Sequence, residues 1–111
     1  MAGWYELSSN EGGKFSFVLK AGNGEVILRS QSYAGESGAR NGIASVQANA
    51  PNDAMYERKQ ASDGRSFFNL KAANGQIIGT SEMYESEAGR DNGIDSVMRN
   101  APRATVEDQT A

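Results

Sequence analysis

The sequence predicts an α+β fold of two tandem β-β-β-α-β repeats with pseudo-twofold symmetry, a single largely antiparallel sheet and both helices on one face. Three observations predict it. Residues 4–52, moved along by 51, coincide with the following segment at about twenty positions without a gap, the mark of an internal repeat. Each copy carries an Asn-Gly between two β-rich runs, in "LKAGNGEVI" from Leu19 and "LKAANGQII" from Leu70. Each copy then carries apolar residues at helical spacing, in "NGIASVQANAP" (41–51) and "NGIDSVMRNAP" (92–102).

The elements follow in order. "WYELS" and "MYERKQ" read as first strands, each ended by a turn in which Gly13 or Gly64 supplies the positive φ of a tight reversal. In the second strands, Phe15, Phe17, Leu19 and Ala21, matched by Phe68, Leu70 and Ala72, alternate with period two. Asn23-Gly24 and Asn74-Gly75 then signal hairpins, with type I′ turns expected because these need positive φ at both central residues. "EVILRS" and "QIIGTS" are the third strands. Tyr33 and Tyr84 lead into helices that Gly35 or Ser86 can cap. Ala39, Gly42, Ile43 and Val46 recur at helical spacing, as do Gly93, Ile94 and Val97. Gly42 and Gly93 sit mid-helix, where glycine costs about 1 kcal/mol against alanine, so close approach to the sheet backbone is expected there. Asn49 and Asn100 suit left-handed C-caps, and Pro51 and Pro102 stop the helices. The expected core is Phe17, Leu19, Ile43, Val46, Phe68, Leu70, Ile94 and Val97. "RATVEDQT" reads as a last short strand. The whole of 1–111 is expected to form a single domain. Repeat one covers about 4–52 plus a strand at 54–60, and repeat two about 55–103 plus a strand at 104–109.

Composition narrows the chemistry. The chain of 111 residues has no cysteine and no histidine, which removes disulfides, thiolate catalysis, the commonest general base and the commonest metal ligand. Net charge is -3, against the strongly basic balance of a nucleic-acid binder. The charge is uneven: residues 1–52 hold four basic and four acidic side chains, and residues 53–111 seven and ten. "MAGWYELSS" has no features of a signal peptide, and no apolar run reaches the roughly 18 residues of a membrane helix. The expected location is the cytoplasm, which the absence of cysteine fits.

The doubled "LKA-NG-I" hairpin and "NGI-SV--NAP" helix resemble the YegP-like family of small bacterial proteins over essentially the whole chain. The resemblance implies two β(3)-α-β units sharing one sheet with exchanged C-terminal strands. The segment around Met55 to Gln60 would join the other half, and that around Thr105 to Asp108 would reciprocate. It also implies a monomer with an internal pseudo-dimer, because some members carry one repeat and assemble as dimers. The family's function is unknown, so the resemblance brings no catalytic or ligand-binding residue.

The candidate motifs are few. "NEGGK" and "AGNGE" lack GxxxxGK[ST] and GxGxxG and join strand to strand, so they read as hairpin turns rather than phosphate loops. "RDNGIDS" (90–96) lacks the spacing of a calcium loop and reads as a solvated helix face. Neither catalytic residues, a metal site nor a cofactor is expected. The positions repeated for structural reasons are Asn23, Gly24, Gly42, Asn74, Gly75 and Gly93. The sheet face without helices is the candidate interaction face, showing Ser16, Val18 and Lys20 from one copy and Phe67, Asn69 and Lys71 from the other. The expected function is a non-enzymatic interaction module using that face or an exposed edge strand, its partner another protein. A weak single-stranded nucleic-acid binder stacking bases on Phe67 beside Lys20 and Lys71 is the alternative. An enzyme built on Glu6 or Glu57 comes last.

Overall fold

The structure, a computed structural model, describes residues 3–110; Met1, Ala2 and Ala111, the ends of the expected 1–111 unit, lie outside the described residues. Strands β1 (Trp4–Ser9), β2 (Phe15–Lys20) and β3 (Val26–Arg29) precede helix α1 (Glu36–Asn49). Strands β4 (Tyr56–Gln60), β5 (Ser66–Lys71) and β6 (Ile77–Thr80) precede helix α2 (Glu87–Asn100), and β7 (Thr105–Asp108) closes the chain. All seven strands join one sheet in the order β4-β5-β6-β3-β2-β1-β7. Every pairing is antiparallel except that of β1 with β7. This is the predicted α+β fold, and the strand after each helix joins the other repeat: β4 pairs with β5, and β7 with β1.

The repeats meet where β3 pairs with β6, through the single register pair Arg29↔Thr80. These two residues are 51 apart, so each is the other's counterpart and the pseudo-twofold axis passes between them. On the helix side of this seam lie another pair of counterparts, Leu28 and Gly79. Leu28 is fully buried, and a Cβ built on Gly79 would stand 2.6 Å from its Cδ2 and 2.7 Å from its Cγ. Counterparts beside the axis compete for one volume, and here one is large and the other has no side chain.

The helices cover the face that carries Tyr5, Leu7, Phe17, Leu19, Phe68 and Leu70, and the expected core residues are all buried. Helix α1 packs on β2 and reaches β5 and β6, while α2 packs on β5 and reaches β3, so each helix spans both repeats. The C-terminal end of each is held by the first strand of the other repeat. Tyr5 Oη donates to the Ala101 carbonyl at 2.9 Å, and Tyr56 Oη to the Ala50 carbonyl at 2.8 Å. Phe17 lies edge-on to Tyr5 and stacks on Tyr33, and Phe68 repeats this with Tyr56 and Tyr84.

Three local expectations are corrected. The Asn-Gly hairpins form, but only Gly24 (φ 88) and Gly75 (φ 87) take positive φ, and no non-glycine does among the described residues. The turns are therefore not type I′: the Asn23 and Asn74 side chains instead accept from the N–H groups of Glu25 and Gln76, each at 3.0 Å, an Asx arrangement that costs asparagine no unusual φ. Asn49 and Asn100 are not left-handed caps. Each is the last helical residue, and its Nδ2 donates back to the Ser45 or Ser96 carbonyl at 2.8 Å. Gly42 and Gly93 meet tyrosine rings rather than sheet backbone: a Cβ would lie 2.9 Å from Tyr33 Cζ in one case and 2.6 Å from Tyr84 Cζ in the other.

Candidate interaction surface

Registers place the candidate residues. Glu107, Glu6, Val18, Arg29, Thr80, Asn69 and Glu57 form one row across the sheet, each paired with the next. Paired residues in a sheet point to the same face, and alternation sets this row opposite Leu7, Phe17 and Phe68. Ser16, Val18, Lys20, Phe67, Asn69 and Lys71 thus all stand on the helix-free face. Asn69 is buried and the other five are half-buried. Asn23, Gly24, Asn74 and Gly75 lie in the turns, and Gly42 and Gly93 against the tyrosines.

This face is largely saturated by its own side chains. The Glu6 carboxylate accepts from Trp4 Nε1 at 2.9 Å and meets Lys20 Nζ at 3.0 Å. In the second repeat, Glu57 accepts from Asn69 Nδ2 at 3.0 Å and meets Lys71 Nζ at 3.1 Å. Thr80 Oγ1 then donates to Asn69 Oδ1 at 2.8 Å. The tryptophan hydrogen bond and Lys20 hold the Glu6 carboxyl below its ordinary value, and Asn69 and Lys71 do the same for Glu57. Both groups are kept ionised, the opposite of what a general acid needs. Both lysines that would meet phosphates already face a carboxylate. Among the described residues there is no cavity and no cluster of three acidic groups able to hold a metal ion. No helix among them is long and apolar enough to cross a membrane.

The sheet edges break the symmetry, and sequence reasoning did not find this. β1 carries β7 on its outer side, with Tyr5↔Val106 and Leu7↔Asp108 in register and the Gln109 N–H donating to the Leu7 carbonyl at 2.8 Å. Its counterpart β4 pairs only with β5, and no described strand lies on its outer side. The side chains follow the difference. Leu7 is fully buried, whereas its counterpart Arg58 keeps 37% of its side chain exposed and pairs with Asp53 at 3.0 Å and Asp91 at 3.4 Å. Ser8 is matched by Lys59, which is exposed. The signal was present in "YELSS" against "YERKQ", where the repeat fails.

Tyr5 and Tyr56 are the buried titratable groups, and burial pushes both phenols well above the ordinary value of 10.0. The folded chain thus holds these protons where the unfolded chain releases them. The contribution of these two groups to stability is complete below about pH 10 and is lost as pH rises beyond it. Alkaline titration is expected to show tyrosinate absorbance rising together with loss of ellipticity, and Tyr5→Phe/Tyr56→Phe to move that unfolding to higher pH. Tyrosinate formation at full native ellipticity, in the same amount with and without these two hydroxyls, would refute the assignment.

Comparison with known proteins agrees with this architecture. A family model described as a domain of unknown function (DUF1508) matches residues 10–57 and again residues 61–108. A UPF0339 protein of Shewanella oneidensis is 60% identical over 110 residues, covering 99% of this chain and 100% of that protein. The UPF0339 protein YegP of Escherichia coli K12 is 54% identical, with 99% and 100% covered. The solution NMR structure of a UPF0339 protein from Shewanella oneidensis superposes with a TM-score of 0.93 at 60% identity, covering 99% of this chain and 93% of that one. That of yegP from E. coli gives 0.94 at 53%, covering 100% and 96%.

Proposed function

The chain belongs to the DUF1508 family of UPF0339 proteins, a family without an assigned function, and from that premise we propose that it is a non-enzymatic binding module of the bacterial cytoplasm whose partner is another protein. The observation that carries the reading is the unfinished second half of the sheet. There the helix-free face runs to an edge, β4, whose counterpart in the first half is covered by a strand. Edge strands left bare are managed or used, and an exposed sheet edge is a recurring docking surface for extended segments. The neutralised lysines favour a protein over a nucleic acid, since phosphate binding rests on uncompensated positive charge. The ionised, hydrogen-bonded Glu6 and Glu57 disfavour carboxylate catalysis.

Affinity capture from a bacterial lysate, with and without nuclease, tests the reading. Wild type is expected to retain a protein partner after nuclease treatment, and Phe67→Asp or a β4 variant to lose it. Complete loss on nuclease treatment would transfer the function to nucleic acid. Capture of nothing above background would overturn the module reading altogether.

A further inference from the structure

Resting on that reading, we propose that the bare edge of β4 receives an extended segment of a partner protein, laid parallel to β4 as β7 lies on β1, with an acidic residue facing Lys59. The molecule contains its own precedent. β7 is an extended strand, exposed along its length, held on β1 by backbone pairing and on α1 by the Asp108–Arg40 ion pair at 2.7 Å, and it reaches no part of the core. Backbone hydrogen bonds carry such an addition, and side chains at alternate positions select the sequence. On β1 the Leu7 carbonyl points outward to its acceptor role with Gln109. The counterpart on β4 is Arg58, whose neighbours along the edge are Tyr56 and Gln60.

Register transferred by 51 sets the chemistry of the guest. The residue in the place of Val106 lies beside Tyr56 on the helix side and is apolar. The one in the place of Glu107 faces Glu57 and is uncharged. The one in the place of Asp108 faces Arg58, already paired with Asp53 and Asp91, and is polar. The next faces Lys59, which has no ion-pair partner among the described residues, and is acidic. A second copy of the chain fits less well. Two β4 strands related by a twofold axis pair antiparallel, unlike the parallel β7 on β1, and a pairing centred on Arg58 sets that arginine against its own copy while placing Glu57 opposite Lys59.

The probe is the synthetic heptapeptide ATVTTET, titrated into the full chain and followed by amide chemical shifts, with ATVTTKT as the control. Saturable shifts are expected at Tyr56, Arg58 and Gln60 with ATVTTET and not with ATVTTKT. Lys59→Glu, an exposed change that leaves the fold intact, is expected to weaken ATVTTET at least about threefold, as loss of an exposed ion pair and its replacement by repulsion implies, and to bring ATVTTKT up. Arg58→Pro removes one outward N–H, a change edge strands tolerate, and is expected to abolish binding. No saturable shift would overturn the proposal, as would equal affinity in Lys59→Glu. So would shifts centred on Tyr5 and Leu7, which would mean that the peptide displaces β7, or β4 shifts that depend on protein concentration alone. A captured partner lost in Phe67→Asp but kept in Lys59→Glu and Arg58→Pro would end the edge proposal and leave the binding-module reading standing.

Discussion

Gly79→Leu is expected to destabilise the fold by about 3 kcal/mol, at the upper end of overpacking costs, and Leu28→Gly in the same chain to recover most of it. The position is a β-strand residue where a β-branched or aromatic side chain would by propensity be better than glycine. What forbids one is Leu28, fully buried and within 2.6 Å of where the Cβ would stand. Leu28→Gly alone leaves a cavity and is expected to cost about 4 kcal/mol. In the exchanged pair one leucine again fills the shared volume, now from the other strand. The two changes are therefore strongly coupled, and urea denaturation of the four members of the cycle measures the coupling. Additive losses in the double variant would show that the two positions do not share space.

Phe68→Ala should cost about 4 kcal/mol, and its effect should be felt in both halves alike. Phe68 is fully buried between Tyr56 and Tyr84, so truncation removes both a large apolar surface and two ring contacts. The buried side chains form one continuous cluster spanning both repeats, and each helix packs on strands of both. The chain's one tryptophan, Trp4, lies on β1 in the first repeat. Its fluorescence transition in Phe68→Ala is expected to shift by the same amount as the far-ultraviolet ellipticity, as a cooperative two-state unit requires. An unshifted Trp4 transition would mean that the halves unfold separately, and would refute the reading of the chain as one domain.

Much of this architecture was legible because local chemistry and periodicity carry it. Phe17, Leu19, Phe68 and Leu70 announce buried strand faces by alternation, and Ile43, Val46, Ile94 and Val97 announce helix faces. Positive φ at Gly13, Gly24, Gly64 and Gly75 follows from turn sterics alone. The features that were not legible arise between segments far apart in the chain. Leu28 matched by Gly79 looks like a failure of the repeat until the axis brings the two together. Gly42 and Gly93 were read as backbone contacts because the spacing shows that something is close, and cannot show that it is Tyr33 or Tyr84. The helix-free face was found by alternation. Its saturation was hidden, because the pairing of Lys20 with Glu6 and Lys71 with Glu57 depends on strand register. The bare edge of β4 was hidden for the same reason: Arg58 and Lys59 mark it only once β7 is known to lie on β1.

The leucine and glycine beside the axis have a consequence for pieces of the chain. Two copies of the amino-terminal half brought together in the same arrangement would set two leucines into a space that holds one. Two copies of the carboxy-terminal half would leave that space empty. Each half is thus a misfit to itself and a fit to the other. Fragments cut between α1 and β4, mixed in solution, should reconstitute as a mixed pair in preference to either matched pair, so that a molecule built on near-identical repeats behaves on reassembly as an obligate heterodimer.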